Sequence, residues 1–242
     1  MIELTRVSKD FGPKRAVNDL TLEVRRGEVF AFLGPNGAGK TTTIKMIVGL
    51  LKPTSGSISV CGYDMAREPI PAKRLLSYVP DQPYLYEKLT GREFLRFTAD
   101  IYGIDEKVAS GRIEAMTGKF DLTEFLDQLA ENYSHGMKQR VVMAAALLHD
   151  PEVVVIDEPM VGLDPRSARI LKTTLREKVS DGATVFMSTH TLSVAEEIAD
   201  RVGIIHRGEL VALGTIDELR ERAQVHGRLE DAFLAITEEA GV

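Results

Sequence analysis

The sequence predicts an α/β layered fold with a mainly parallel sheet. Two uninterrupted apolar runs, VFAFL at 29–33 and VVVI at 153–156, are short enough for strands and lack the alternation of a half-exposed strand. Both therefore read as strands buried on two faces. A glycine-rich turn at 34–39 follows the first run and opens a helical segment reaching about residue 50. Strands and helices then alternate toward the C-terminus, the pattern of a parallel sheet covered by helices.

Taken in order, LTLEV at 20–24 alternates as a half-buried strand does, and the buried run 29–33 follows. GSISV at 56–60 and residues 75–79 supply two more short strands. From 91 to 149 the texture becomes helical: Phe94, Phe97, Thr98 and Ile101 share one helical face, and Ile113, Met116 and Phe120 another. This stretch interrupts the alternation and reads as an inserted lobe. After strand 153–156 come a helix at 166–179, a strand at 184–187 and a short helix at 194–199. Residues 202–205 and 210–213 form a terminal hairpin turning at Arg207 and Gly208, and 229–234 a short helix.

The chain has 242 residues, enough for one large domain or one domain with a small lobe. Lys plus Arg number 30 against 36 Asp plus Glu, a formal charge of −6, which argues against a nucleic-acid binder. The single Cys61 can form no internal disulfide and so needs no oxidising compartment. Residues 1–10 lack the apolar core of a leader peptide. The longest apolar stretch, 141–148, falls far short of the roughly 20 residues that cross a bilayer and reads as a core helix.

Gly34, Pro35, Asn36, Gly37, Ala38, Gly39, Lys40 and Thr41 satisfy the phosphate-loop pattern G-x-x-x-x-G-K-[ST]. Its context is right, between a buried strand and a helix that Thr42 continues. Glycines let backbone N–H groups turn toward phosphate oxygens, and the helix N-terminus adds positive potential. Lys40 is placed to reach the β- and γ-phosphates and the Thr41 hydroxyl to ligate Mg²⁺. Asp157 and Glu158 end the strand at 153–156, where an open α/β sheet puts its ligands. Asp157 suits Mg²⁺, through water, and Glu158 the water that attacks a phosphorus.

These residues resemble the ABC ATPase family, and the resemblance covers nearly the whole chain. Residues 133–140, YSHGMKQR, are similar to the family signature LSGGQ: Ser134 and Gly136 are retained, while Tyr133, His135 and Met137 depart from the commonest letters. Ser134 alone would read as a helix N-cap. The resemblance implies that Ser134 and Gly136 serve the nucleotide of a partner subunit. GLDP at 162–165 is similar to the loop that crosses the dimer interface, His190 to the switch histidine at the γ-phosphate, and Phe11 to the adenine-stacking aromatic. Where the family has Gln directly after Val-Pro, this chain has Asp81, with Gln82 one residue later. A carboxylate suits the Mg²⁺ shell, so register favours Asp81, with a shifted backbone and Gln82 as the alternative.

The resemblance implies a phosphate-loop core with an N-terminal antiparallel β layer and the helical lobe inserted at about 88–149 of a domain spanning 1–220. Residues 221–242 are then a short helical tail with no added regulatory domain. It implies an ATPase that uses ATP and Mg²⁺, pairs with a second copy or a homologous subunit, and drives solute transport. The membrane permease is expected to be a separate chain, with export favoured over import. The place implied is the cytoplasm, at the inner face of the membrane.

Overall fold

The run VFAFL is buried at every position, which only a strand with packed layers on both faces permits. The computed structural model describes residues 1–225 and 227–239. In order, the elements are β1 (Ile2–Phe11), β2 (Lys14–Val24), β3 (Val29–Leu33), α1 (Lys40–Ile47), β4 (Ser55–Val60), β5 (Tyr63–Asp64), α2 (Pro69–Arg74) and β6 (Leu76–Val79). The helical stretch holds α3 (Gly91–Ile101), α4 (Glu106–Lys119) and α5 (His135–Leu147). Then follow β7 (Val153–Asp157), α6 (Pro165–Ser180), β8 (Thr184–Thr189), α7 (Leu192–Ile198), β9 (Arg201–His206), β10 (Glu209–Gly214), α8 (Ile216–Arg222) and α9 (Leu229–Glu239).

Six strands form one sheet in the order β10-β9-β3-β8-β7-β6, parallel except for the β9–β10 hairpin. A second, antiparallel sheet has the order β2-β1-β4-β5. Because strand side chains alternate, the large sheet divides the interior in two. Val29, Ala31, Leu33, Val154, Ile156, Val185 and Met187 face the helical stretch, α6 and α7. Phe30, Phe32, Val153, Val155 and Phe186 face α1 and the antiparallel sheet. Phe186 lies 5.6 Å from Phe30 and 5.5 Å from Phe32, ring centre to ring centre, at the middle of that second core.

The structure adds two features that the sequence reading did not give. The face of α3 turned to the core carries Leu95 and Ala99, whereas Phe97 and Ile101 are exposed. Phe97 instead meets Tyr86 edge-on at 5.7 Å, so the aromatic residues on this helix build a surface cluster. The second is β1, absent from the sequence reading. Its alternation breaks at Arg6, whose φ of 46° accompanies a register shift against β2, so Leu4 and Val7 are both buried despite odd spacing.

Helix α9 buries Leu229, Ala232 and Ile236 and packs on α7 and α8. Of the expected tail 221–242, His226 and residues 240–242 lie outside the described residues.

Candidate active site

The loop between β3 and α1 is shaped by two close approaches. A Cβ on Gly34 would lie 2.4 Å from the Ile205 carbonyl oxygen, and Gly39 has φ 113° with the Ala16 carbonyl 2.7 Å from its Cβ position. No other residue fits there without moving backbone. The loop carbonyls hold Lys40: its Nζ donates to Gly34 O at 2.7 Å and Pro35 O at 3.3 Å. Burial pulls the Lys40 ammonium below its usual range, and the Glu158 and Asp157 charges oppose this.

Strand β7 delivers the two carboxylates. Asp157 is paired in register with Ser188 of β8, and the Ser188 hydroxyl donates to Asp157 Oδ1. Burial pushes the Asp157 carboxyl up, while the Ser188 and Thr41 hydroxyls push it down and the charges of Asp81 and Glu158 push it up again. Its Oδ2 is buried with no hydrogen-bond partner. A buried carboxylate oxygen beside the Thr41 hydroxyl, left unsatisfied by protein, fits a hard cation reached directly or through water.

Glu158 takes φ 51°, a strained value for a side chain of this size, and its N–H donates to the Ser188 carbonyl at 3.1 Å. This turn swings its carboxylate across the strand ends. Glu158 Oε1 lies 4.0 Å from Lys40 Nζ and 2.8 Å from His190 Nδ1, while Oε2 accepts from the His190 N–H at 3.3 Å. Strand ends β3, β7 and β8 thus bring Lys40, Glu158 and His190 together.

They open on a cleft of about 490 Å³ lined by the predicted Phe11, Asn36, Gly37, Gly39, Lys40, Thr41, Thr42, Asp81, Glu158 and His190. Of the other predicted residues, Gly34, Ala38 and Asp157 are buried and Pro35 is exposed, and none of the four lines the cleft. Asp81 reaches the cleft and Gln82 does not; Asp81 Oδ1 also accepts the Gln82 N–H at 2.9 Å. The sequence reading missed Lys14 and Ala16, which line the cleft from β2, and Ser188. The signal for Ser188 was its place two residues before His190, at the strand end opposite Asp157.

Ser134 and Gly136 lie outside the cleft, at the start of α5. The Ser134 hydroxyl accepts from the Met137 N–H at 3.2 Å, and the Ser134 N–H donates to Met137 Sδ at 3.4 Å, so methionine closes the cap that a glutamine would. A Cβ on Gly162 would lie 2.3 Å from the His135 ring, so this helix start packs on the loop that follows Glu158. Tyr133 is buried; its hydroxyl accepts from the Gly91 N–H at 3.0 Å and donates to the Phe125 carbonyl at 2.8 Å.

Fold and cleft together define a phosphate-loop ATPase of the α/β class. The chain belongs to the ABC transporter family, which it matches over residues 17–161, and it is an ATP-binding, ATP-hydrolysing member. It is similar to the linearmycin resistance ATP-binding protein LnrL of Bacillus subtilis (strain 168), with 39% identity over 222 residues, 92% of this chain and 71% of that protein. A solved ATP-binding subunit of an ABC transporter superposes with a TM-score of 0.93 at 37% identity, covering 98% of this chain and 99% of that one. The bacterial ABC transporter cassette MJ0796, solved as a dimer, superposes with a TM-score of 0.82 at 25% identity over 89% of this chain and 98% of that one. Among the described residues no helix is long and apolar enough to cross a membrane.

Proposed function

We propose that this chain is the motor subunit of an exporter whose permease is a separate membrane protein, and that it hydrolyses ATP in a site shared between two copies. The convergence of Lys40, Thr41, Glu158 and His190 on one cleft, from three separate segments, carries the reading. In it, Phe11 stacks on the adenine and the loop from Gly34 to Thr42 surrounds the phosphates with N–H groups and the Lys40 ammonium. Thr41, Asp157 and Asp81 would hold Mg²⁺, which when bound would neutralise charge on the phosphate oxygens.

Glu158 accepts a proton from the attacking water as the water oxygen bonds to the γ-phosphorus. The bond from that phosphorus to the oxygen of the leaving ADP breaks, giving ADP and inorganic phosphate. His190 holds the Glu158 carboxylate in the resting cleft and turns to the γ-phosphate when it arrives. Ser134 and Gly136, outside their own cleft, serve the nucleotide of the second copy through a hydroxyl and the start of α5. The dimeric state of the MJ0796 cassette supports this pairing.

The permease is received, in this reading, by the exposed aromatic surface of Tyr84, Tyr86 and Phe97. The chain then works at the inner face of the membrane in this reading. The resistance named for LnrL supports export. The motor domain spans 1–220, with a lobe inserted at about 88–149, and 221–242 is its tail. Phosphate release tests the catalytic part: Glu158→Gln should keep ATP affinity and lose most turnover. Turnover at the wild-type rate would remove Glu158 from the mechanism.

A further inference from the structure

The hairpin joining β1 and β2 carries three cations close in sequence to the cleft residue Phe11: Lys9, Lys14 and Arg15. Two are committed elsewhere. Lys9 Nζ donates to the Lys52 carbonyl at 2.7 Å and sits 5.3 Å from the centre of the Phe11 ring. Arg15 grips both carboxylate oxygens of Asp10, at 2.8 and 3.3 Å, and donates to Asn18 Oδ1 at 3.1 Å. Lys14 is exposed, lines the cleft, and its ammonium has no hydrogen-bond or ion-pair partner among the described residues.

Strand geometry fixes where Lys14 sits. It pairs directly across the hairpin with Phe11, and it shares a strand face with Ala16, two residues on. The backbone at Ala16 is pressed onto the phosphate loop: its carbonyl oxygen is 2.7 Å from a Cβ position on Gly39 and 2.9 Å from one on Gly208. Asn18 N–H donates to Gly208 O at 2.8 Å, and Gly208 N–H to Ala38 O at 2.9 Å. The start of β2 is therefore locked to the loop, and Lys14 is held over the cleft whose floor carries Lys40.

Charge supplies the reason for a second cation. The charged side chains lining the cleft are Lys14, Lys40, Asp81 and Glu158, so the lining itself is balanced before a ligand enters. A nucleoside triphosphate carries several negative charges, and Lys40 is buried whereas Lys14 is exposed. We propose that Lys14 is a further nucleotide-binding residue, pairing with the polyphosphate from the outer side and favouring ATP and ADP over AMP and adenosine. This rests on the reading of the cleft as the ATP site.

Calorimetry with ATP, ADP and AMP tests it on the full chain, with Lys40→Ala as the control for the cleft. Lys14→Ala and Lys14→Gln should each weaken ATP and ADP binding about 3- to 10-fold, the size expected of one charge-assisted contact at a half-open site. AMP binding should change less, and the loss should shrink as salt rises. In turnover, KM for ATP should rise by a similar factor with kcat unchanged, and Lys14→Arg should restore it. The melting temperature should not move, because the side chain is exposed. Unchanged ATP affinity in both Lys14 variants, with affinity lost in Lys40→Ala, would overturn this inference and leave the cleft standing. Unchanged affinity in Lys40→Ala as well would bring down both. A fall in kcat at constant KM would also contradict it.

Discussion

Replacing Tyr133 by phenylalanine removes one oxygen from the most unusual part of the signature. The ring is retained, so its edge-on packing against Phe125, 5.1 Å between centres, survives. The missing hydroxyl leaves the Gly91 N–H, previously bonded at 3.0 Å, and the Phe125 carbonyl, previously bonded at 2.8 Å, without that partner. Tyr133 is only 6% exposed, so water does not readily replace it. Stranding buried polar groups in this way costs about 1–3 kcal/mol. A chain of this size loses about 2–4 °C of melting temperature per kcal/mol, which predicts a fall of roughly 2–12 °C. Calorimetric melting measures it, and ATP affinity should stay unchanged because Tyr133 is outside the cleft. An unchanged melting temperature would refute the claim that the Tyr133 hydroxyl's bonds to Gly91 and Phe125 stabilise the fold.

Asp81→Ala should slow hydrolysis far more than Gln82→Ala, since only Asp81 reaches the cleft; the reverse order in steady-state rates would give the role to Gln82. His149 stacks flat on Tyr102, 3.6 Å between ring centres, and burial holds its imidazole down to about 4 from 6.5. The folded state thus takes up that proton later than the unfolded state does. The stability it contributes is complete above pH 6.5 and is lost as pH falls toward 4. Melting temperatures compared from pH 7.5 downward should therefore fall less steeply in His149→Phe than in the wild type, and parallel curves would contradict the argument.

Much of the large sheet was legible because its strands are buried on both faces and say so in unbroken apolar runs. β1 was hidden for the opposite reason. Its bulge at Arg6 puts Leu4 and Val7 out of step, so the period-two signal breaks off after four residues. On α3, composition alone could not tell a core face from an exposed aromatic cluster, because Phe97 looks equally apolar in both settings. The phosphate loop and the paired carboxylates were readable from local spacing. Lys14 and Ala16 were not, since only the folded hairpin carries them from β2 to the loop at Gly39. Ser188 needed the parallel register of β7 and β8 to meet Asp157.

The claim of a site shared by two chains is tested most directly by the mass of the Glu158→Gln protein in solution, by light scattering with and without MgATP. Loss of the basic carboxylate leaves ATP bound and uncleaved, so nucleotide joining the phosphate loop of one copy to Ser134 and Gly136 of the other should accumulate the dimer. Adding Ser134→Arg should return it to monomer by filling the space of the facing γ-phosphate. A Glu158→Gln protein that binds ATP yet keeps the monomer mass at high concentration would contradict a site built from two copies of this chain.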